Sequence, residues 1–121
     1  MNQTDIIQIE LEDKIVVAGL TPNSIIGSET LEVITKRLRE LVNSDSTAKL
    51  VIDFSNVSFF SSQMLGLLVD LWRRLKETGG ALAICGINPQ LTRVFRITHL
   101  DKLFAFYPDR QTAISVIRSG S

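Results

Sequence analysis

One cysteine, Cys85, and one histidine, His99, stand in this 121-residue chain. No internal disulfide can form, and neither a cysteine-built metal site nor a Cys-x-x-Cys redox pair is available, so a reducing compartment fits best. His99 has no second histidine or cysteine to join it in holding a metal, and near a helix end it reads as a partner for the helix dipole. Cys85 closes an apolar run and reads as a buried, inert thiol. An excess of charge of one sign is missing too: 13 basic residues balance 13 acidic ones. No general field therefore draws nucleic acid or an anionic membrane. No stretch approaches the ~20 apolar residues of a membrane span, and the opening MNQTDIIQIELEDK lacks the basic start and apolar run of a secretory leader. Gly79-Gly80 lacks the spacing and the Lys-Ser/Thr of a phosphate-binding loop. The expectation is a cytoplasmic protein with no cofactor, no membrane insertion and no direct nucleic-acid contact.

What is present is enough apolar matter for one core: 45% of residues are hydrophobic and 21% charged. A single domain is expected over residues 1–121, with its core from about residue 5 to 117 and a frayed tail at 118–121. Ile7, Ile9 and Leu11 alternate with polar residues, and Ile15 to Ala18 follow a turn at Glu12-Asp13-Lys14, which predicts an antiparallel hairpin at a sheet edge. Thr21 to Ser24 break the pattern. Leu31, Ile34, Leu38 and Leu41 then recur at helical spacing, with Glu29 and Glu32 early and Lys36, Arg37 and Arg39 later.

Leu50-Val51-Ile52 is a nearly continuous apolar run suited to a central strand covered on both faces. Leu65, Leu68, Leu71, Trp72 and Leu75 mark a helix that stops near Gly79-Gly80 and packs on the sheet. Ala81 to Ile84 form another buried strand. Asn88-Pro89 opens a helix through Leu91, Val94 and Phe95, and a strand around Phe104 to Phe106 leads through Pro108 into a last helix carrying Ala113, Ile114 and Ile117. The order β-β-α-β-α-β-α-β-α predicts an α/β fold: a mixed sheet, with an N-terminal hairpin plus parallel strands, and about four helices.

The segment Val51 to Leu68 is the one that suggests a job. A buried strand ends in Asp53, passes a polar turn, and enters an apolar helix at Ser61-Ser62. The free N–H groups and positive end of a first helical turn favour a serine oxygen, or the larger negative charge of a phosphoserine. One serine is expected to cap the helix and the other to be solvated, with Asp53 organising the turn by accepting backbone hydrogen bonds. No oriented base stands beside Ser62 in the sequence, so an enzyme using Ser62 with Asp53 or His99 is disfavoured.

Asp53-Phe54-Ser55-Asn56-Val57-Ser58-Phe59-Phe60-Ser61-Ser62, followed by Leu65-Gly66, resembles the signature of STAS domains, the module shared by sulfate transporters and bacterial anti-sigma-factor antagonists. The hairpin, Gly79-Gly80 before Ala81, and the run Val94 to Phe104 extend the likeness over nearly the whole chain. The resemblance implies a cytoplasmic regulator of transcription that binds an anti-sigma factor of the serine-kinase type, releases the sigma factor, and is switched off when that kinase phosphorylates it. It places the partner-binding surface at Asp53, Ser55, Asn56, Ser58, Phe60, Ser61, Ser62, Gln63 and Met64. In the family this loop usually reads Asp-Ser-Ser/Thr-Gly-Leu, with the second hydroxyl as phosphoacceptor. Here Ser61 occupies the aspartate position, Ser62 the first serine, Gln63 the acceptor position, and Met64 that of the glycine. Either Ser62, with Ser61 the lesser candidate, takes over as acceptor, or the protein binds its partner without this switch. A STAS scaffold or adaptor subunit of a larger assembly or transporter is the alternative implied.

Overall fold

Alternation in the strands decides the layering. In the computed structural model, which describes residues 6–12, 14–43 and 49–120, a five-stranded sheet runs in the order β1-β2-β4-β6-β7. β1 (Ile7–Glu12) pairs antiparallel with β2 (Ile15–Leu20), and β2, β4 (Lys49–Asp53), β6 (Ala81–Cys85) and β7 (Ala105–Tyr107) are mutually parallel. The hairpin is thus as expected, with β1 at one edge. β4 lies in the middle, as its unbroken apolar run required. Leu50 and Ile52 join one apolar cluster, while Val51 joins a second. Side chains of period 2 feed both faces of the sheet.

Three helices cover the first face: α1 (Ser28–Asn43), α2 (Ser62–Glu77) and α3 (Pro89–Ile97). Ile34 and Leu38 from α1, Met64, Leu68, Leu71 and Leu75 from α2, and Leu91 and Phe95 from α3 are buried there with Ala18, Leu50, Ile52, Leu82 and Ile84. At about 1.5 to 3 kcal/mol for each fully buried large aliphatic side chain, this layer is the principal source of cohesion. α4 (Arg110–Gly120) covers the other face, setting Ala113 and Ile114 against Ile15, Val17, Val51, Ala83 and Cys85. The chain's one cysteine is buried in that layer, and burial together with the neighbouring Asp53 charge pushes its thiol up to about 12.

Helix ends follow local chemistry. Asn88 accepts a hydrogen bond from the Leu91 amide at 2.8 Å, with Pro89 in the first turn. α2 ends in a left-handed Gly79 (φ +80°), where the Gly80 amide reaches the Leu75 carbonyl at 2.7 Å and the Gly79 amide the Lys76 carbonyl at 3.2 Å.

Two expectations change. Two short strands, β3 (Ser24–Ile25) and β5 (Phe59–Phe60), pair in parallel as a separate ribbon where only loop was expected. Two-residue strands are too short for any period to register. The final helix continues through Arg118 and Ser119 to Gly120 rather than fraying at 118. His99 stands just past the end of α3, near a helix end as expected, exposed and in the left-handed region (φ +63°). Asp5, the turn residue Asp13 and the tail residue Ser121 lie outside the described residues. No helix among the described residues is long and apolar enough to cross a membrane.

Candidate functional site

The β3-β5 ribbon carries the chain from the sheet to the start of α2. Ser24 stands beside Phe59, and Ile25 beside Phe60. Ile25 and Phe60 turn inward, Phe60 packing edge-on against Phe54 and Phe95 at 5.7 and 6.0 Å between ring centroids. Alternation leaves Phe59 and Ile26 outward, 44% and 60% exposed. The Ser61 amide then donates to the Ile25 carbonyl at 3.0 Å, and α2 begins. Ser62 and Gln63 are exposed on its first turn. Gln63 also borders a groove of about 680 Å³ beside α1, with Glu32, Lys36 and Arg39 on its wall. Two apolar side chains, one hydroxyl and one amide are therefore exposed on the segments that meet where α2 begins.

Hydrogen bonds from two flanking segments hold this corner. Asn23 donates through its side-chain amide to the Ser58 hydroxyl at 2.8 Å and to the Asn56 carbonyl at 3.4 Å. Asn88, already the cap of α3, donates to the Ser58 carbonyl at 3.2 Å and to that of Val57 at 3.4 Å. The loop's backbone is thereby satisfied from both sides, which pre-organises the surface it presents.

Ser61 occupies the cap position of α2 with extended backbone, but its side chain makes no capping bond. Its hydroxyl oxygen is buried without a hydrogen-bond partner among the described residues. The expected division, one serine capping and the other solvated, is half right: Ser62 is exposed, and the first turn lacks its side-chain cap.

Of the other expected partner-facing residues, Ser55, Asn56 and Ser58 are exposed, whereas Asp53, Phe60 and Met64 are buried. Phe60 and Met64 belong to the core, because the strand and helix periods turn them inward. Asp53 points to the α4 side of the sheet, like Val51 two residues earlier. It accepts hydrogen bonds from the Ser55 amide at 2.9 Å and from the Ser55 hydroxyl, as its turn-organising role required. It also accepts two from Arg110, at 3.1 Å from Nε and 2.9 Å from Nη2. Arg110 reaches Glu10 as well, at 2.9 Å. Burial would raise the Asp53 carboxyl, but the bonds from Ser55 and Arg110 outweigh it and hold the group below its ordinary value. Arg110 is held above its ordinary value because Asp53 and Glu10 outweigh the opposing effect of burial.

Gly86 closes this network. Its φ is +74°, and a Cβ there would strike the Ser55 hydroxyl and lie 3.0 Å from both Asp53 Oδ1 and the Ser55 nitrogen. The Asp53 cluster is thus a structural clamp joining β4, β6 and α4, and its carboxylate is engaged away from Ser62. Among the described residues no group of three or more His, Cys, Asp or Glu side chains could hold a metal. The contributions of Arg110, Ile26 and Phe59 were not foreseen. For Phe59 the signal was there: one member of an adjacent Phe-Phe pair in a strand must face out.

Comparison with known proteins gives this geometry its context. The family model described as STAS domain matches residues 7–113. The chain is 22% identical to the anti-sigma F factor antagonist of Paenibacillus polymyxa over 90% of its own length and 93% of that protein. Its structure is similar to that of an anti-sigma factor antagonist from Mycobacterium paratuberculosis, at 28% identity and a TM-score of 0.81, covering 93% of this chain and 92% of the other. It is also similar to an anti-sigma-factor antagonist (STAS) domain protein from Planctomyces limnophilus, at 26% identity and a TM-score of 0.80, covering 91% and 95%.

Proposed function

The chain belongs to the STAS domain family, and from that premise we propose that it is an anti-sigma-factor antagonist whose job is recognition by the corner at the start of α2. The observation that carries this reading is the outward cluster of Ile26, Phe59, Ser62 and Gln63 on a loop fixed by Asn23 and Asn88. A small apolar centre with a polar rim is the anatomy of a protein interface. The partner is an anti-sigma factor of the serine-kinase type, and the antagonist, by occupying it, frees the sigma factor. STAS antagonists are regulatory proteins rather than enzymes, and this chain is one of them.

Control by phosphorylation falls to Ser62. Gln63 cannot carry a phosphoryl ester, while Ser62 is exposed one residue earlier on the same first turn. A phosphate there would add about −1.5 to −2 charge in the middle of the corner and disrupt an interface built around Phe59 and Ile26. Gln63 also favours a second reading, in which the domain is a scaffold or adaptor subunit indifferent to phosphorylation.

Incubation with the cognate anti-sigma kinase and ATP, followed by mass mapping, separates the two. Modification of wild type that disappears in Ser62→Ala supports the switched antagonist. A tight complex with an unmodified loop makes it a constitutive antagonist. Absence of any complex with the kinase, with co-purification in a larger assembly, favours the adaptor.

A further inference from the structure

We propose that a cavity between α3, the turn at Leu100–Lys102 and β7 binds a small aromatic amine. The cavity holds about 340 Å³, walled by Ile87, Phe95, Phe106, Tyr107 and Pro108. It opens beyond the carboxyl ends of β6 and β7, the end of a parallel sheet at which open α/β folds take their ligands. That volume lies at the lower end for small-molecule sites, room for one ring system and a short chain.

Mutually packed aromatic rings form the back wall. Phe95 and Phe106 meet edge-to-face at 5.1 Å between ring centroids, and Phe104 contacts them at 6.1 and 6.2 Å. A preformed wall spares a ligand the cost of ordering side chains. Polar chemistry in the lining sets the ligand's sign. The Thr92 hydroxyl donates its proton to the Asn88 carbonyl at 2.9 Å, leaving only lone pairs to offer. Asp101 is the one charged residue of the lining, and its carboxylate has neither an ion-pair nor a hydrogen-bond partner among the described residues. A carboxylate and a spent hydroxyl both ask for a donor. The matching molecule has a flat apolar body and an ammonium group directed at Asp101. This assignment is independent of the partner proposed for the α2 corner.

A nuclear magnetic resonance titration of the isotopically labelled protein with phenethylamine tests it, with 3-phenylpropionate as the anion of similar shape. The expected result is saturable shifts confined to the amides of Ile87, Thr92, Asp101, Phe106 and Tyr107, with a dissociation constant in the millimolar range or tighter. The anion should bind more weakly. Asp101→Asn, a change at an exposed turn residue whose spectrum otherwise stays native, should weaken the amine about fivefold, as removal of a solvent-accessible charge pair implies. Non-saturating or scattered shifts, equal binding of the anion, or unchanged affinity in Asp101→Asn would each overturn the proposal.

Discussion

Replacing Gly86 by alanine isolates the clamp that fixes the β4-β5 loop. Gly79→Ala is its internal control, because both glycines have positive φ, +74° and +80°, and both variants carry the left-handed cost of about 1 to 2 kcal/mol. Around Gly79 nothing lies within 4 Å of the added methyl. At Gly86 the methyl meets the Ser55 hydroxyl and two further atoms at 3.0 Å, one of them backbone. Overpacking of this kind adds about 1 to 3 kcal/mol. Gly86→Ala should therefore cost roughly 2 to 5 kcal/mol and Gly79→Ala roughly 1 to 2, both read from urea unfolding at unchanged m-value. In a Ser55→Ala background, where the nearest colliding atom is gone, the Gly86→Ala penalty should shrink. Equal penalties for the two glycines, or no relief from Ser55→Ala, would refute the reasoning.

Asp53→Ala should destabilise the protein by about 2 kcal/mol or more; the 31% exposure of the Arg110 side chain keeps it under the 3 to 5 kcal/mol of a fully buried pair. The folded Asp53 carboxyl lies below its ordinary 3.8, so its stabilisation is whole at neutral pH, declines as pH falls below 3.8 and vanishes below the folded value. Acid unfolding of Asp53→Ala should lack that part of the loss. Ser61→Ala should not destabilise the protein, against the ~1 kcal/mol loss usual for a capping serine, because the hydroxyl makes no cap bond and is buried without a partner among the described residues; chemical unfolding checks it. Cys85, buried with its thiol pushed up to about 12, should resist a disulfide exchange reagent until the protein unfolds, and rapid native labelling would contradict its placement.

The parts of this fold that the sequence made legible are those set by local chemistry. Asn88-Pro89 announces a helix start because cap and proline act within one turn, and Leu50-Val51-Ile52 announces a central strand because both its faces need cover. Gly79-Gly80 stops α2 for the same local reason. Features that depend on distant residues were not legible. Asp53 reads as a turn organiser from its neighbours, and so it is, yet its charged partner on α4, Arg110, comes from 57 positions away. The resemblance drew Asp53, Phe60 and Met64 into the recognition surface along with their neighbours. Strand and helix periods turn all three inward and leave Phe59 and Ile26 outside. Ser61 satisfies the sequence rule for a cap, but the bond from its amide to Ile25 belongs to a ribbon too short to be foreseen.

Calorimetric titration of the cognate anti-sigma factor with wild type, Phe59→Ala and Val116→Ala tests the recognition corner most directly. Val116 is a comparably exposed apolar residue, 43% against 44%, but on α4 across the sheet. Saturable binding by wild type and Val116→Ala, weakened about tenfold or more in Phe59→Ala, is the predicted result. No binding by wild type, or equal affinities for all three proteins, would contradict the account.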